Sequence, residues 1–296
     1  CKVGVPQGSN LGPLVFLIFY NDLPFLLNCE VDAYADDTTM TVAGNTIEEI
    51  SDKMTANCEL VTGWMQSNRL KLNASKTHLM TVGTSARLRS LESPVVVTMD
   101  GCILEESEDK VETLLGVQIE PTLKWHKQVE ALLANLKKRL TGLANLKNIL
   151  PYVLRKRITE GMFTSVLVYC LPVFGGCDKS ELEALQIMQN KAARLVTHAP
   201  QRSSSRDIFN QLNWLTVNQL VFYHSALSTF RIRGSNEPEY LDRILTRDNR
   251  AERIIIPNTN LTLAKNSYCY RGASQWNSLP DYIRKSQKIG QFKSQL

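Results

Sequence analysis

The spacing of apolar residues changes near residue 121, and that change restricts the chain to an α+β part followed by an all-α part. Upstream, Val31, Ala33 and Ala35 alternate with polar residues, and a β-branched run follows over residues 38–42. A period of two fits half-buried strands. Downstream, Val129, Leu132, Leu133, Leu136, Leu140, Leu143, Leu146 and Leu150 recur at helical spacing, with Pro151 behind them. That stripe predicts one long helix over residues 129–150, stopped by the proline.

Other elements follow from local signals. Glycines and prolines over residues 1–13 mark a loop, with Ser9 or Asn10 as the expected cap of an apolar helix that Pro13 enters early. Thr46 and Glu49 predict a capping box, and Ile47, Ile50, Met54, Cys58, Val61 and Trp64 an inward helix face. Strands are expected over 78–82, over 95–99 and 102–104 around the Asp100-Gly101 turn, and over 114–119 with an internal glycine. Further helices are expected over 153–171, after a Ser180/Glu183 capping box, and over 214–233, with a partly irregular tail. The domain division read from these signals is 1–120, 121–200 and 201–296.

Composition narrows the class. The chain has 296 residues, 43% hydrophobic and 21% charged, as a globular protein does. The apolar run over residues 14–19 is too short to cross a bilayer, so no membrane partner is expected. Seven cysteines, an odd number without a C-x-x-C pair, suit reduced thiols in an intracellular (cytoplasmic and/or nuclear) protein rather than a disulfide framework. Cys170, Cys177, His198 and His224 match no zinc-ligand spacing. The opening Cys1-Lys2, without Met or a secretory signal, leads to the expectation of a piece of something longer.

Charge is unevenly placed within the net +5. Acids dominate residues 30–59 and bases dominate residues 121–160. A cation-binding half beside an anion-binding half suits a protein that handles polyphosphates through metal ions. Two solvated helix faces would give the same counts. Tyr34-Ala35-Asp36-Asp37 reads as a hairpin with an acidic tip. Two crowded carboxylates favour a hard divalent cation, Mg²⁺ first, whereas a solvated turn would use Asp for its turn propensity alone.

Four motifs then occur in order: Gly4-Val5-Pro6-Gln7-Gly8-Ser9 with Gly12-Pro13, Tyr34-Ala35-Asp36-Asp37, Leu72-Asn73-Ala74-Ser75-Lys76-Thr77, and Leu114-Leu115-Gly116-Val117. Together they resemble the later palm motifs of reverse transcriptases, and are most similar in wording to non-LTR, LINE- or jockey-like retrotransposons. Residues 185–196 and 267–280, with Trp276-Asn277-Ser278-Leu279-Pro280, resemble the C-terminal region of those elements' second open reading frame. The resemblance implies a partial polymerase palm, an antiparallel sheet with packed helices, followed by an all-α thumb and a C-terminal helical region. It implies Mg²⁺ or Mn²⁺ at Asp36 and Asp37, and Lys76 beside the leaving pyrophosphate. Gln7, Gly8 and Tyr34 would contact nucleotide, template and primer terminus, and Leu115 and Gly116 would form the primer grip. Lys137, Lys138, Arg139, Arg155, Lys156 and Arg157 would hold the nucleic-acid backbone. The implied partners are an RNA template, a DNA primer and deoxynucleoside triphosphates.

Two-metal phosphoryl transfer also needs a carboxylate from an earlier palm strand, which the family places upstream of Gly-Val-Pro-Gln-Gly. That residue and the N-terminal part of the polymerase are expected to lie outside this chain, so the chain alone is expected not to polymerise. Two other readings stay open: a degenerate retroelement product that at most binds nucleic acid, and an unrelated metal-dependent nuclease built on Asp36 and Asp37.

Overall fold

The computed structural model describes residues 8–73, 76–104, 106, 110–248 and 252–296. They form two compact units, Cys1–Glu112 and Thr113–Leu296. Both mix helices with short antiparallel hairpins, an α+β composition.

In the first unit, α1 (Gly12–Tyr20) starts on Leu11, not on Ser9 or Asn10. Ser9 Oγ instead accepts the Leu11 N–H at 3.2 Å, which closes the preceding turn. Pro13 sits in the first helical turn, where its missing N–H leaves no bond unmade. After α2 (Leu23–Leu26), β1 (Glu30–Tyr34) and β2 (Asp37–Thr41) pair antiparallel from Glu30↔Thr41 to Tyr34↔Asp37. Val31 faces Met40 across this pair, and both pack half-buried on the core.

Helix α3 (Ile47–Ser67) buries Cys58, Val61 and Trp64, with Ile47, Ile50 and Met54 packed beside them, as its spacing predicts. Thr46 Oγ1 accepts the Glu49 N–H at 3.2 Å, while the Glu49 carboxylate reaches one residue past the expected box, to the Asn45 N–H at 2.8 Å. A short helix, α4 (Ser85–Arg89), precedes β3 (Val97–Met99) and β4 (Cys102–Leu104), joined by Asp100 and Gly101 at φ +50° and +75°. Two positive φ values are what a two-residue hairpin turn requires, so Asp-Gly fits. The hydroxyls of Ser51 and Thr55 on α3 accept the Val96 and Thr98 N–H groups at 3.3 Å, so the helix covers the hairpin's edge.

The strand expected over 78–82 is not formed. Leu79 makes one bridge to Glu106, and the Thr81 N–H donates to the Glu106 carboxylate at 2.9 Å, so a side chain stands where a neighbouring strand would be. The expected palm sheet is likewise absent as one sheet: among the described residues the strands pair only two by two.

The chain passes into the second unit along β5 (Glu112–Leu114), and β6 (Val117–Ile119) follows. Where one strand over 114–119 is expected, Leu115 and Gly116 take φ +48° and +78° and turn the chain back on itself. A leucine held there is strained by about 1–2 kcal/mol. Helix α5 (His126–Asn145) buries Val129, Leu132, Leu136 and Leu143, but stops before the expected residue 150. The reason lies in the next element: Arg155 Nη1 donates to the carbonyls of Lys147 (3.0 Å) and Leu150 (2.8 Å), so these carbonyls accept from a side chain.

The helix expected over 153–171 is also broken up. α6 (Tyr152–Thr159) passes through a π-helical turn at Glu160–Thr164 into α7 (Ser165–Leu167), and Cys170, at φ +53°, ends the run before α8 (Leu171–Phe174). Helix α9 (Lys179–Thr197) is capped by an Asp178/Glu181 box, two residues earlier than the expected Ser180/Glu183. α10 (Ser205–Leu212) and α11 (Val217–Ser235) follow, the latter with a Thr216/Gln219 box. Phe163, Leu167, Leu171, Phe174 and Leu185 centre this core.

The tail is helical and packed. α12 (Glu239–Ile244), β7 (Arg247–Asp248), β8 (Arg253–Ile254), α13 (Thr262–Asn266), α14 (Tyr268–Ser278), α15 (Asp281–Arg284) and α16 (Ile289–Gln295) surround Trp276 and Phe292, which are 1% and 0% exposed. The Trp276 indole donates to the Glu252 carbonyl at 2.9 Å, and Asn277 bonds both backbone groups of Ile254. The Trp276-Asn277 motif thus pins strand to helix. Arg271 Nη2 reaches the Pro172 carbonyl at 2.6 Å, joining the tail to the helices before it.

Candidate active site

The β1–β2 hairpin has a two-residue loop, Ala35 and Asp36, with Tyr34 opposite Asp37. Ala35 takes φ +54°, a conformation alanine reaches only under strain and one that glycine would adopt freely. Such strain persists where neighbours fix it, here a five-pair ladder and the Tyr20 hydroxyl, 2.7 Å from Thr38 Oγ1. Tyr20 is itself held among Phe16 and Trp64, with ring centroids 5.8 and 6.3 Å away. The turn therefore presents two successive carboxylates, Asp36 and Asp37, beside a Tyr34 ring that is 67% exposed.

Both aspartates are exposed. As oxygen donors on a defined turn they fit a hard divalent cation, though as only one or two of its six ligands. Among the described residues no third acidic or histidine ligand gathers around them. The group that does gather is elsewhere: His126, Asp178 and Glu181 bring their ligand atoms within 4.8 Å of one another. That group serves packing, because Glu181 closes the α9 capping box and accepts from His126 Nδ1 at 2.5 Å. The Glu181 bond raises the imidazole pKa above the usual histidine range.

Of the remaining expected residues, Gln7 lies outside the described residues, as do Ala74 and Ser75 of the lysine motif. Gly8 is exposed at φ +78°, and Lys76 is exposed on a turn closed by its own N–H to the Asn73 carbonyl at 3.0 Å. Leu115 and Gly116 form the tip of the β5–β6 hairpin.

The basic residues separate. Lys137, Lys138 and Arg157 are exposed. Arg139 is half-buried and donates to Asn135 Oδ1 and the Met162 carbonyl, and half-buried Lys156 lies 3.8 Å from Glu160. Arg155 is a correction to the expected backbone-binding set: it is 7% exposed and donates to the carbonyls of Val196, Lys147 and Leu150. Successive helical residues are turned 100° apart, so one of three adjacent bases faces inward.

Sequence reasoning missed Tyr169. Its hydroxyl donates to the Leu115 carbonyl at 2.6 Å, from a position expected inside a continuous helix. The left-handed Cys170 that frees it has no marker in the sequence.

Among the described residues no helix is long and apolar enough to cross a membrane. Residues 1–135 match the family "Reverse transcriptase (RNA-dependent DNA polymerase)". The chain is 25% identical to "Probable RNA-directed DNA polymerase from transposon BS" of Drosophila melanogaster, over 78% of this chain and 26% of that protein. It is 27% identical to "RNA-directed DNA polymerase from mobile element jockey" of Drosophila funebris, over 70% of this chain and 23% of that protein. A Drosophila melanogaster jockey polymerase is 25% identical over 71% of this chain and 23% of its own length. The chain thus spans about a quarter of the length of these relatives. No solved structure is a significant match. The ordered motifs and these relatives agree: residues 1–135 carry the reverse transcriptase match, and the chain is similar to jockey-type RNA-directed DNA polymerases.

Proposed function

We propose that the chain supplies part of the palm and the thumb of an RNA-directed DNA polymerase that extends a DNA primer on an RNA template with deoxynucleoside triphosphates. The observation that carries this reading is the strained two-residue turn that aims Asp36 and Asp37 outward beside Tyr34. Reverse transcriptases use divalent metal ions, and here the two aspartates would hold Mg²⁺ or Mn²⁺. The bound cation would neutralise charge developing on the transferred phosphate. Tyr34 would pack against the primer terminus, and Gln7 and Gly8 against nucleotide and template. Lys76 would face the leaving pyrophosphate as proton donor or counter-charge. Leu115 and Gly116 would bring backbone against the primer strand. Lys137, Lys138 and Arg157 would contact phosphates, without base readout.

The two-carboxylate site is incomplete for two-metal transfer, so a third carboxylate from another palm strand must join it for turnover. The same incompleteness favours a second reading, in which the chain by itself binds nucleic acid without extending a primer. Calorimetric titration with Mg²⁺ and Mn²⁺ tests the site. We expect weak binding that an Asp36→Asn/Asp37→Asn double variant loses. Equal heats from both proteins would reject the site.

A further inference from the structure

The β5–β6 turn is held from the side. The Tyr169 hydroxyl donates to the Leu115 carbonyl at 2.6 Å, across 54 positions of sequence. The ring of Tyr169 lies 3.8 Å from where a side chain on Gly116 would begin, so the turn rests on it. Beside this contact a cleft of about 400 Å³ opens, lined by Gly116, Gln118, Gln128, Asn135, Ser165 and Tyr169 among others, with no lysine or arginine in its wall. Two of these amides have their oxygens engaged: Gln128 Oε1 accepts the Gln118 N–H at 2.9 Å, and Asn135 Oδ1 accepts from Arg139 Nε at 2.9 Å. Their NH₂ ends are the remaining donors, and amide NH₂ groups donate without carrying charge.

We propose that Tyr169 is the positioning residue of the Leu115–Gly116 turn, and that the neutral cleft it walls receives the sugar–phosphate backbone of the primer strand. This rests on the polymerase reading above. The division of labour is physical. Exposed lysines attract the duplex by displacing its counterions, a contribution that fades with salt. Amide donors displace no counterions, so their contribution persists as salt rises. A cleft without cations next to a rigid turn selects geometry, whereas the lysines supply attraction.

The test is a binding titration of the full chain with a DNA-primer/RNA-template duplex at several salt concentrations. Tyr169→Phe keeps the ring and removes the hydroxyl. We expect it to weaken binding about tenfold at every salt, with the slope of log affinity against log salt unchanged and the melting temperature unmoved. Asn135→Ala, at an exposed cleft residue, should act in the same direction without changing the slope. The Lys137→Ala/Lys138→Ala variant should instead flatten the slope by about 1–2. If that variant behaves as expected while Tyr169→Phe and Asn135→Ala bind like the wild type, the proposal is overturned and the polymerase reading stands. A change of slope in Tyr169→Phe would also overturn it. Wild-type binding that is absent or independent of salt would remove the polymerase reading's thumb grip, and the proposal with it.

Discussion

Arg155 is buried and donates through Nε and Nη1 to the carbonyls of Val196, Lys147 and Leu150, so its guanidinium is committed to the fold and withdrawn from the surface where a phosphate would lie. Replacing it with alanine should leave buried acceptors unpaired, at a cost on the order of 3 kcal/mol in urea denaturation. The salt slope of nucleic-acid binding should not change. A stable Arg155→Ala protein with a flatter slope would place this residue back among the phosphate contacts. The sequence could not separate Arg155 from Lys156 and Arg157, because all three share one basic run and only helical phase decides which one faces inward. The acidic tip is the opposite case. Asp36 and Asp37 were legible as a hairpin turn from flanking alternation, and the register places them at the loop and the first rung. The left-handed φ of Ala35 was not legible, since alanine carries no local signal for it.

At the scale of elements, amphipathic spacing found α3, α5 and α9, because each buries one stripe against a core. Their ends were harder to read. α5 ends early because a distant arginine takes the carbonyls beyond it, and the helix after Pro151 breaks at a left-handed cysteine. The tail reads as irregular because its stripes are short and its order comes from Trp276, Asn277 and Arg271, each acting over long range. That packing makes a prediction about glycines. A Cβ on Gly176 would meet the Asn266 carbonyl oxygen at 2.1 Å, a backbone atom that cannot swing away. Gly176→Ala should therefore destabilise the protein by at least about 3 kcal/mol. Gly142, inside α5 with open space around it, should gain roughly 0.5–1 kcal/mol as alanine. Thermal melts of the two variants moving in the same direction would contradict this account of how the tail is held.

At the scale of the whole molecule, the first unit carries the acidic turn and the second carries the basic helices and the Leu115–Gly116 turn. Charge asymmetry and motif order made that division of chemistry legible. The small hairpins in place of one sheet were not legible, because strand propensity does not say which strands find partners. The account's central claim is that Asp36 and Asp37 are one part of a polymerase metal site that needs a further palm carboxylate. The most direct measurement joins this chain to the preceding palm segment of a jockey-type relative and follows extension of a DNA primer on an RNA template in Mg²⁺ and Mn²⁺. The account predicts extension that Asp36→Asn reduces by about a thousandfold or more. A folded protein that extends nothing with either metal, or extends equally well with Asp36→Asn, would contradict it.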